Sequence, residues 1–196
     1  MPILDEDDKI HVTIFDKETG GGQVTAIDKQ ELVPLNGFAD YNDTTGPITI
    51  SPDTWTDLPN NGLGAFTNEE YLPGGVTSLL DFSTGKIDPT ELEKGDMVFI
   101  RKDFTVVPSI NNANLFFRYT LGDGGGAYVL PGLLPRLDEG AGEPTQVAQS
   151  ADFVYMGDDN TQSNLIGIQV KCSVQATLTN AGFVVAVIKR RAVSND

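Results

Sequence analysis

The sequence contains very few residues of the kinds that bind metals or form disulfides. Among 196 residues there is one histidine, His11, and one cysteine, Cys172. A structural zinc site takes about four histidine, cysteine or carboxylate ligands at defined spacings, so neither a metal nor any other cofactor is expected. A single cysteine also excludes an internal disulfide, which fits assembly in a reducing compartment.

Basic residues are scarce as well. Thirteen Lys and Arg face 28 Asp and Glu, which gives a formal net charge of −15, and the only dense basic run is 189–191. Nucleic-acid binding and attachment to an anionic membrane both need clustered positive charge, so neither partner is expected. No apolar run approaches the roughly 20 residues of a membrane span. The acidic start, Asp5 to Asp8, has the wrong charge for a signal peptide.

Turn-forming residues are abundant, with 21 glycines and 11 prolines. Several β-rich segments lie between these turns, and we find no convincing amphipathic helix. Residues 115–121 alternate between apolar and polar side chains, and residues 166–178 do so over a longer run that predicts one half-buried strand. Residues 179–182 are then predicted to form a turn. Many short strands separated by turns predict an all-β sandwich.

The segment after that turn is apolar on both faces, which is unusual for a strand of a sandwich. It therefore predicts a second contact, such as a subunit interface. The pattern does not decide which face points to the core. The two candidate sets are Phe183, Val185 and Val187, or Val184, Ala186 and Ile188.

Residues 1–54 are predicted to be an arm and linker, and residues 55–196 the main domain. Two β-rich segments around a glycine turn, 10–15 and 23–27, predict a hairpin, and 48–50 a short strand. An isolated hairpin is marginally stable in water, so the arm should dock on the main domain or on a neighbouring subunit. Its candidate docking residues are Ile10, Val12, Ile14, Phe15, Val24 and Ile27.

Four features could be mistaken for chemistry. His11 lies in the arm and is predicted to be an ordinary strand residue. Cys172 is one of the inward-facing residues of an alternating strand, so it is predicted to be a small buried side chain. The glycine-rich stretch 122–126 lacks the lysine and following helix of a phosphate loop. Residues 158–160 could contribute to a calcium site but lack the glycine and distal glutamate of an EF-hand, so a solvated turn is preferred. No catalytic arrangement is apparent, and no enzyme is predicted.

Three strings in the main domain are similar to a module of tailed-bacteriophage structural proteins. They read WTDLPNNGLGAFTN at 55–68, LDFSTGKID at 80–88 and LEKGDMVFIR at 92–101. The closing segment, 166–189, is similar to the last two strands of such a module. These modules resemble tumour-necrosis-factor-type jelly rolls, which commonly form trimers. The resemblance spans about 55–191 and implies a jelly-roll β-sandwich with an N-terminal extended arm or hairpin.

The resemblance implies a virion protein made in the host cytoplasm. Our first hypothesis is a capsid decoration, or cement, protein that binds the major capsid protein on the outer shell as a homotrimer. The second is a tail, fibre or knob module that recognises a host surface, for which Trp55, Tyr128 and Tyr155 are candidate contacts. The third is an enzyme on a jelly-roll scaffold, such as a cupin or a metal-free depolymerase; the single histidine argues strongly against a cupin.

Overall fold

The computed structural model describes residues 34–132, 136–138, 140–148 and 151–190, together with three strands nearer the N-terminus. The chain divides into two compact units, Met1–Pro34 and Leu35–Asp196. The first unit contains β1 (Ile3–Leu4), β2 (Ile10–Phe15) and β3 (Gly22–Ile27), which form an antiparallel sheet in the order β1-β2-β3.

The β2–β3 pairing confirms the predicted hairpin. Ile10 lies opposite Ile27 and Thr13 opposite Val24. Side chains of this unit lie outside the described residues, and so does the acidic run at 5–8. Docking of the arm therefore stays a prediction.

The second unit is built from thirteen strands, one short α-helix and one 3₁₀ turn (Gly124–Gly126) in its described part. The strands are β4 (Asn36–Asn42), β5 (Ile48–Ile50), β6 (Thr56–Asp57), β7 (Leu80–Asp81), β8 (Lys86–Ile87), β9 (Met97–Pro108), β10 (Ala113–Leu121), β11 (Tyr128–Gly132), β12 (Arg136–Leu137), β13 (Thr145–Ala148), β14 (Asp152–Tyr155), β15 (Gly167–Cys172) and β16 (Ala176–Ile188). The helix is α1 (Asp159–Gln162).

The strands form two antiparallel main sheets. Sheet 1 has β16 and β9 at its centre, with β4 and β5 pairing with β16 and with β13 and β14 pairing with β9. Sheet 2 has the order β11-β10-β15-β6, with β12 also pairing with β10. β7 and β8 form a separate small hairpin.

The pairing is nested along the chain. The first strand pair, β4 and β5, lies beside the last strand, β16; β6 lies beside β15; β9 lies beside β13 and β14; and β10 lies beside β11 and β12. A long antiparallel ribbon folded over into two sheets produces this order, which is that of an eight-position jelly roll. The predicted all-β jelly-roll sandwich is therefore confirmed.

The core lies between the two sheets and follows from strand alternation. Even-numbered residues of β9 are buried from Val98 to Pro108, and odd-numbered residues of β10 are buried from Ala113 to Leu121. The predicted inward set of β10, which includes Phe117 and Tyr119, is among them. Period-two burial on one face of each sheet is the pattern expected of a sandwich.

Two boundaries differ from those predicted. Residues 36–50 belong to the body and not to a linker, because β4 and β5 complete sheet 1 by pairing with β16. The compact unit accordingly begins at Leu35. The alternating run 166–178 is two strands in different sheets, separated by residues 173–175. Alternation continues across that corner because both strands turn one face to the same core.

The predicted turn at 179–182 is a β-bulge inside β16. The register against β9 shifts between Asn180 and Gly182, and Ala181 is exposed. Asn180 is buried, and its side-chain amide donates a hydrogen bond to the Pro59 carbonyl at 2.5 Å. Gly182 has φ of 126°, and a Cβ there would lie 2.1 Å from the Tyr41 carbonyl oxygen. The bulge thus needs glycine at this position.

Candidate functional site

The bulge decides which side of β16 faces the core. Before it, Ala176, Leu178 and Asn180 point inward; after it, the inward positions are Phe183, Val185 and Val187, at most 3% exposed. An inserted residue changes the parity of all later side chains. The first candidate interface set is therefore core. The second set, Val184, Ala186 and Ile188, lies on the outer face of sheet 1.

That outer face carries two apolar rows across four strands. Strand register places Phe38, Ala186, Phe99 and Phe153 in one row, and Ile188, Met97 and Tyr155 in the next. We call these seven residues the apolar face.

Large side chains of the apolar face are open to solvent. The exposed fractions are 45% for Phe38, 59% for Phe153, 56% for Tyr155 and 38% for Ile188. Tyr71, itself 54% exposed, stacks on Phe38 with ring centroids 5.3 Å apart, which extends the apolar surface beyond the strand edge. A contiguous patch of this kind is typical of a protein interaction surface.

A polar groove borders the apolar face. It has a volume of about 210 Å³ and lies beside the bulge, with Asp40, Arg101, Asp103 and Val184 in its lining. Arg101 forms an ion pair with Asp103 at 3.1 Å. Desolvation raises the pKa of Asp40, Arg101 opposes that rise, and Asp103 adds to it.

The outer face of sheet 2 differs in chemistry. Trp55, before β6, lies beside two cations: the Arg118 guanidinium carbon is 4.2 Å from the ring centroid and the Lys171 Nζ is 5.1 Å from it. Lys171 Nζ is also 5.0 Å from the Phe116 ring. We call Trp55, Phe116, Arg118 and Lys171 the cationic face. Cation–π contacts of this kind hold the two charges in defined places.

A hydrogen-bond ladder fixes the cationic face from one side. Arg118 Nε donates to Gln169 Oε1 at 2.8 Å, and Gln169 Nε2 donates to Asp57 Oδ1 at 2.7 Å. These three residues lie in one cross-strand row. Among the described residues, the terminal nitrogens of the Arg118 guanidinium form no hydrogen bond.

A buried lysine lies between the sheets and was missed at the sequence level. Lys102 is fully buried on β9; its Nζ donates to Tyr119 Oη at 2.6 Å and to Asp152 Oδ2 at 2.9 Å. The Nζ also lies 3.8 Å from the centroid of the Phe117 ring. Desolvation lowers the pKa of Lys102, and its hydrogen bond and charge attraction to Asp152 oppose that shift. The ion pair ties β14, which carries Phe153 and Tyr155, to the sandwich interior.

The remaining sequence candidates fall in different places. Cys172 is buried, as predicted. Tyr128 is 40% exposed, with its hydroxyl 3.3 Å from Thr161 Oγ1. Asp158 caps α1 by accepting the Thr161 amide at 2.7 Å, so it has a structural role there. His11 lies on β2, where side chains are outside the described residues.

Within the described ranges, no group of three or more His, Cys, Asp or Glu is placed to hold a metal ion. No helix in the part of the chain that the structure describes is long and apolar enough to cross a membrane.

Comparisons with known proteins give low similarity. No family model and no curated protein matches the chain. Among solved structures, Eiger TNF from S. frugiperda is 12% identical with a TM-score of 0.42, covering 83% of this chain and 96% of its own. The PRD1 vertex protein P5 is 12% identical with a TM-score of 0.38, covering 91% and 82%. An infectious bursal disease virus Gt strain structure is 14% identical with a TM-score of 0.35, covering 94% and 39%. At these TM-scores the likenesses carry no weight, and the fold assignment depends on the strand order.

Proposed function

We propose that this chain is a structural protein of a virion, a bacteriophage capsid decoration protein that works by binding other subunits. In this proposal it forms a homotrimer on the outer capsid surface, contacts the major capsid protein and stabilises the shell. Its role is binding and not catalysis. The sequence resemblance over residues 55–191 supports the virion setting.

The observation that carries the proposal is the apolar face. Outer faces of sandwich strands are ordinarily polar, yet here Phe38, Phe153, Tyr155 and Ile188 are exposed together on three strands of one sheet. Aromatic side chains bury roughly 150–250 Å² each in total. About half of that area is still open to a partner at Phe38, Phe153 and Tyr155. In this proposal a second copy covers the face, and its residues Val184, Ala186 and Ile188 contribute to the trimer contact.

Stabilisation of the shell would follow from mass action. A protein that binds only the assembled capsid lowers the free energy of that state by an amount set by its concentration and affinity. The arm would add a second attachment by pairing a strand with a partner sheet edge, through Ile10, Val12, Ile14, Phe15, Val24 and Ile27. The partner of the arm is either the capsid or another copy.

The test is the mass of the purified protein by light scattering, followed by its binding to undecorated capsids. We expect a trimer that binds in high copy and raises the melting temperature of the capsid. The double variant Phe153→Lys/Ile188→Lys should be folded, because both side chains are exposed, and should lose the trimer.

Val129→Lys is the matched control, because Val129 is 48% exposed on β11 of the other sheet. It should leave the mass and capsid binding unchanged. A wild-type protein that does not bind capsids would contradict the decoration role. A trimer that survives the double variant would contradict the role of the apolar face.

A tail or fibre module for host-surface recognition is the second candidate. The cationic face favours it, because Trp55 and Phe116 beside two cations provide stacking and charge for a host-surface ligand. The copy number per particle separates the two: hundreds indicate decoration, and about a dozen or fewer indicate a tail or vertex position.

A further inference from the structure

The two cations of the cationic face form no ion pair with a carboxylate among the described residues, which is also true of Lys189 and Arg190. Lys86, Lys94, Arg101 and Arg136 each form an ion pair, with Asp57, Asp159, Asp103 and Asp138 respectively. Arg118 and Lys171 have no such pair within the described part of the chain; they contact Trp55. Two oriented cations on a chain with net charge −15 form a local site for an anion.

The two cations lie on neighbouring strands. Phe116 lies opposite Lys171 and Arg118 opposite Gln169, so Arg118 and Lys171 are diagonal neighbours, about 7–8 Å apart at the backbone. A segment with several neighbouring carboxylates can therefore contact both cations at once, and arginine can bind one carboxylate with two parallel hydrogen bonds.

The chain contains one segment of this kind. Asp5-Glu6-Asp7-Asp8 is its only run of four acidic residues. We infer that the cationic face of one copy binds this acidic run from a second copy. The inference rests on the proposed assembly of copies and deepens it by naming the partner of the N-terminal segment.

Charge complementarity favours this occupant over a neutral glycan or an apolar peptide. Copies with a net charge of −15 repel each other at long range, and a local attraction of opposite charge offsets part of that repulsion. The cationic face supplies positive charge, and the acidic run supplies the densest negative charge in the sequence.

Trp55 gives a direct readout, because it is the only tryptophan in the chain. The experiment titrates the peptide PILDEDDKI, residues 2–10, into a full-length chain whose own run is neutralised by Asp5→Asn, Glu6→Gln, Asp7→Asn and Asp8→Asn. Tryptophan emission and the anisotropy of a labelled peptide report binding. We expect saturable binding that weakens about tenfold or more when Arg118→Gln and Lys171→Gln are added, and that weakens from about 0.05 M to about 0.5 M salt.

The control and a charge exchange make the test specific. Lys94→Gln removes an exposed cation on another part of the surface and should leave binding unchanged. Arg118→Glu with Lys171→Glu should abolish binding, and a peptide carrying Asp5→Lys and Asp7→Lys should restore it. Binding that persists in the double glutamine variant would overturn the inference. Tighter binding of a heparin oligosaccharide, lost in the same variant, would also overturn it by assigning the face to an anionic glycan.

The readout needs neither capsids nor a trimer. Peptide binding without capsid binding would refute the decoration role and leave the docking site standing. Capsid binding with no peptide binding would refute the docking site and leave the decoration role standing.

Discussion

The two outer faces of the sandwich use the same strand geometry for different chemistry. On sheet 1, β16 is apolar on both sides after the bulge, and its outward residues join aromatic side chains of β4, β9 and β14. On sheet 2, the outward residues of β15 are Gln169 and Lys171, which join a polar ladder and a tryptophan. Covering the first face would gain free energy from apolar burial, which salt does not screen, whereas binding at the second depends on charge, which salt screens.

This difference suits the two faces to different kinds of contact. An apolar face suits a permanent contact between copies, and a cationic face suits a partner that must be chosen by charge. Salt should therefore separate the two: raising it should release the acidic run while leaving the contact through the apolar face intact.

The largest expected effect comes from the bulge that sets the apolar face. In Gly182→Ala the new methyl group would lie 2.1 Å from the Tyr41 carbonyl, so β4 must move away from β16. We expect the free energy of unfolding, measured by urea denaturation, to fall by about 3 kcal/mol or more.

Gly46→Ala is the matched control for that variant. Gly46 also has positive φ, 88°, but a Cβ there would have no heavy atom within 4 Å. Only backbone strain applies, so we expect a loss of about 1 kcal/mol. Equal losses for the two variants would mean that the close approach at Tyr41 is not what requires glycine at the bulge.

The next effect concerns the ion pair beneath the apolar face. Asp152→Asn leaves the buried Lys102 ammonium without its counter-charge, and we expect the free energy of unfolding to fall by about 2–3 kcal/mol. That figure is reduced from the value for a fully buried pair because Asp152 is 35% exposed. Adding Lys102→Met should recover most of the loss, since an apolar side chain then fills the interior. A double variant less stable than Asp152→Asn alone would contradict this account.

Sequence patterns predicted the strands of the two sheets but not which side of β16 faces the core. Alternation predicted the buried side of β10, because this strand turns the same face to the core along its whole length. On β16, the sequence predicted a turn at residues 179–182, where the structure has a bulge. The one extra residue of this bulge decides whether Val184 or Val185 points inward. A local pattern cannot fix that parity, because it depends on pairing with β9 and β4.

Lys102 shows a second limit of the sequence pattern. It occupies an inward position between Ile100 and Phe104 in an otherwise apolar series, a signal that predicts a buried charge with a partner. The partner, Asp152, is 50 residues away and reaches it only because β14 pairs with β9. The cationic face was missed for the same reason, since Trp55, Arg118 and Lys171 meet only through strand pairing.

The smallest expected effect concerns Asp40, at the polar border of the apolar face. Desolvation raises the pKa of this carboxyl above its ordinary value of 3.8, despite the nearby Arg101. Between 3.8 and the folded-state pKa, the folded chain therefore holds a proton that the unfolded chain has released. The stabilising contribution of this group falls as pH rises through that window, so ionised Asp40 costs stability at neutral pH.

Asp40→Asn removes the charge and keeps an oxygen that can accept the hydrogen bond from Asn42 Nδ2. We expect the free energy of unfolding at neutral pH to rise by about 0.5 kcal/mol or less relative to wild type, and the gain to shrink as pH falls from the folded-state pKa to 3.8. Urea denaturation across that pH range measures it. A variant that follows wild type at every pH would mean that Asp40 is fully solvated. If a second copy covers the apolar face, burial at its border would desolvate Asp40 further, so the gain in Asp40→Asn should be larger in the assembled protein than in the dilute monomer.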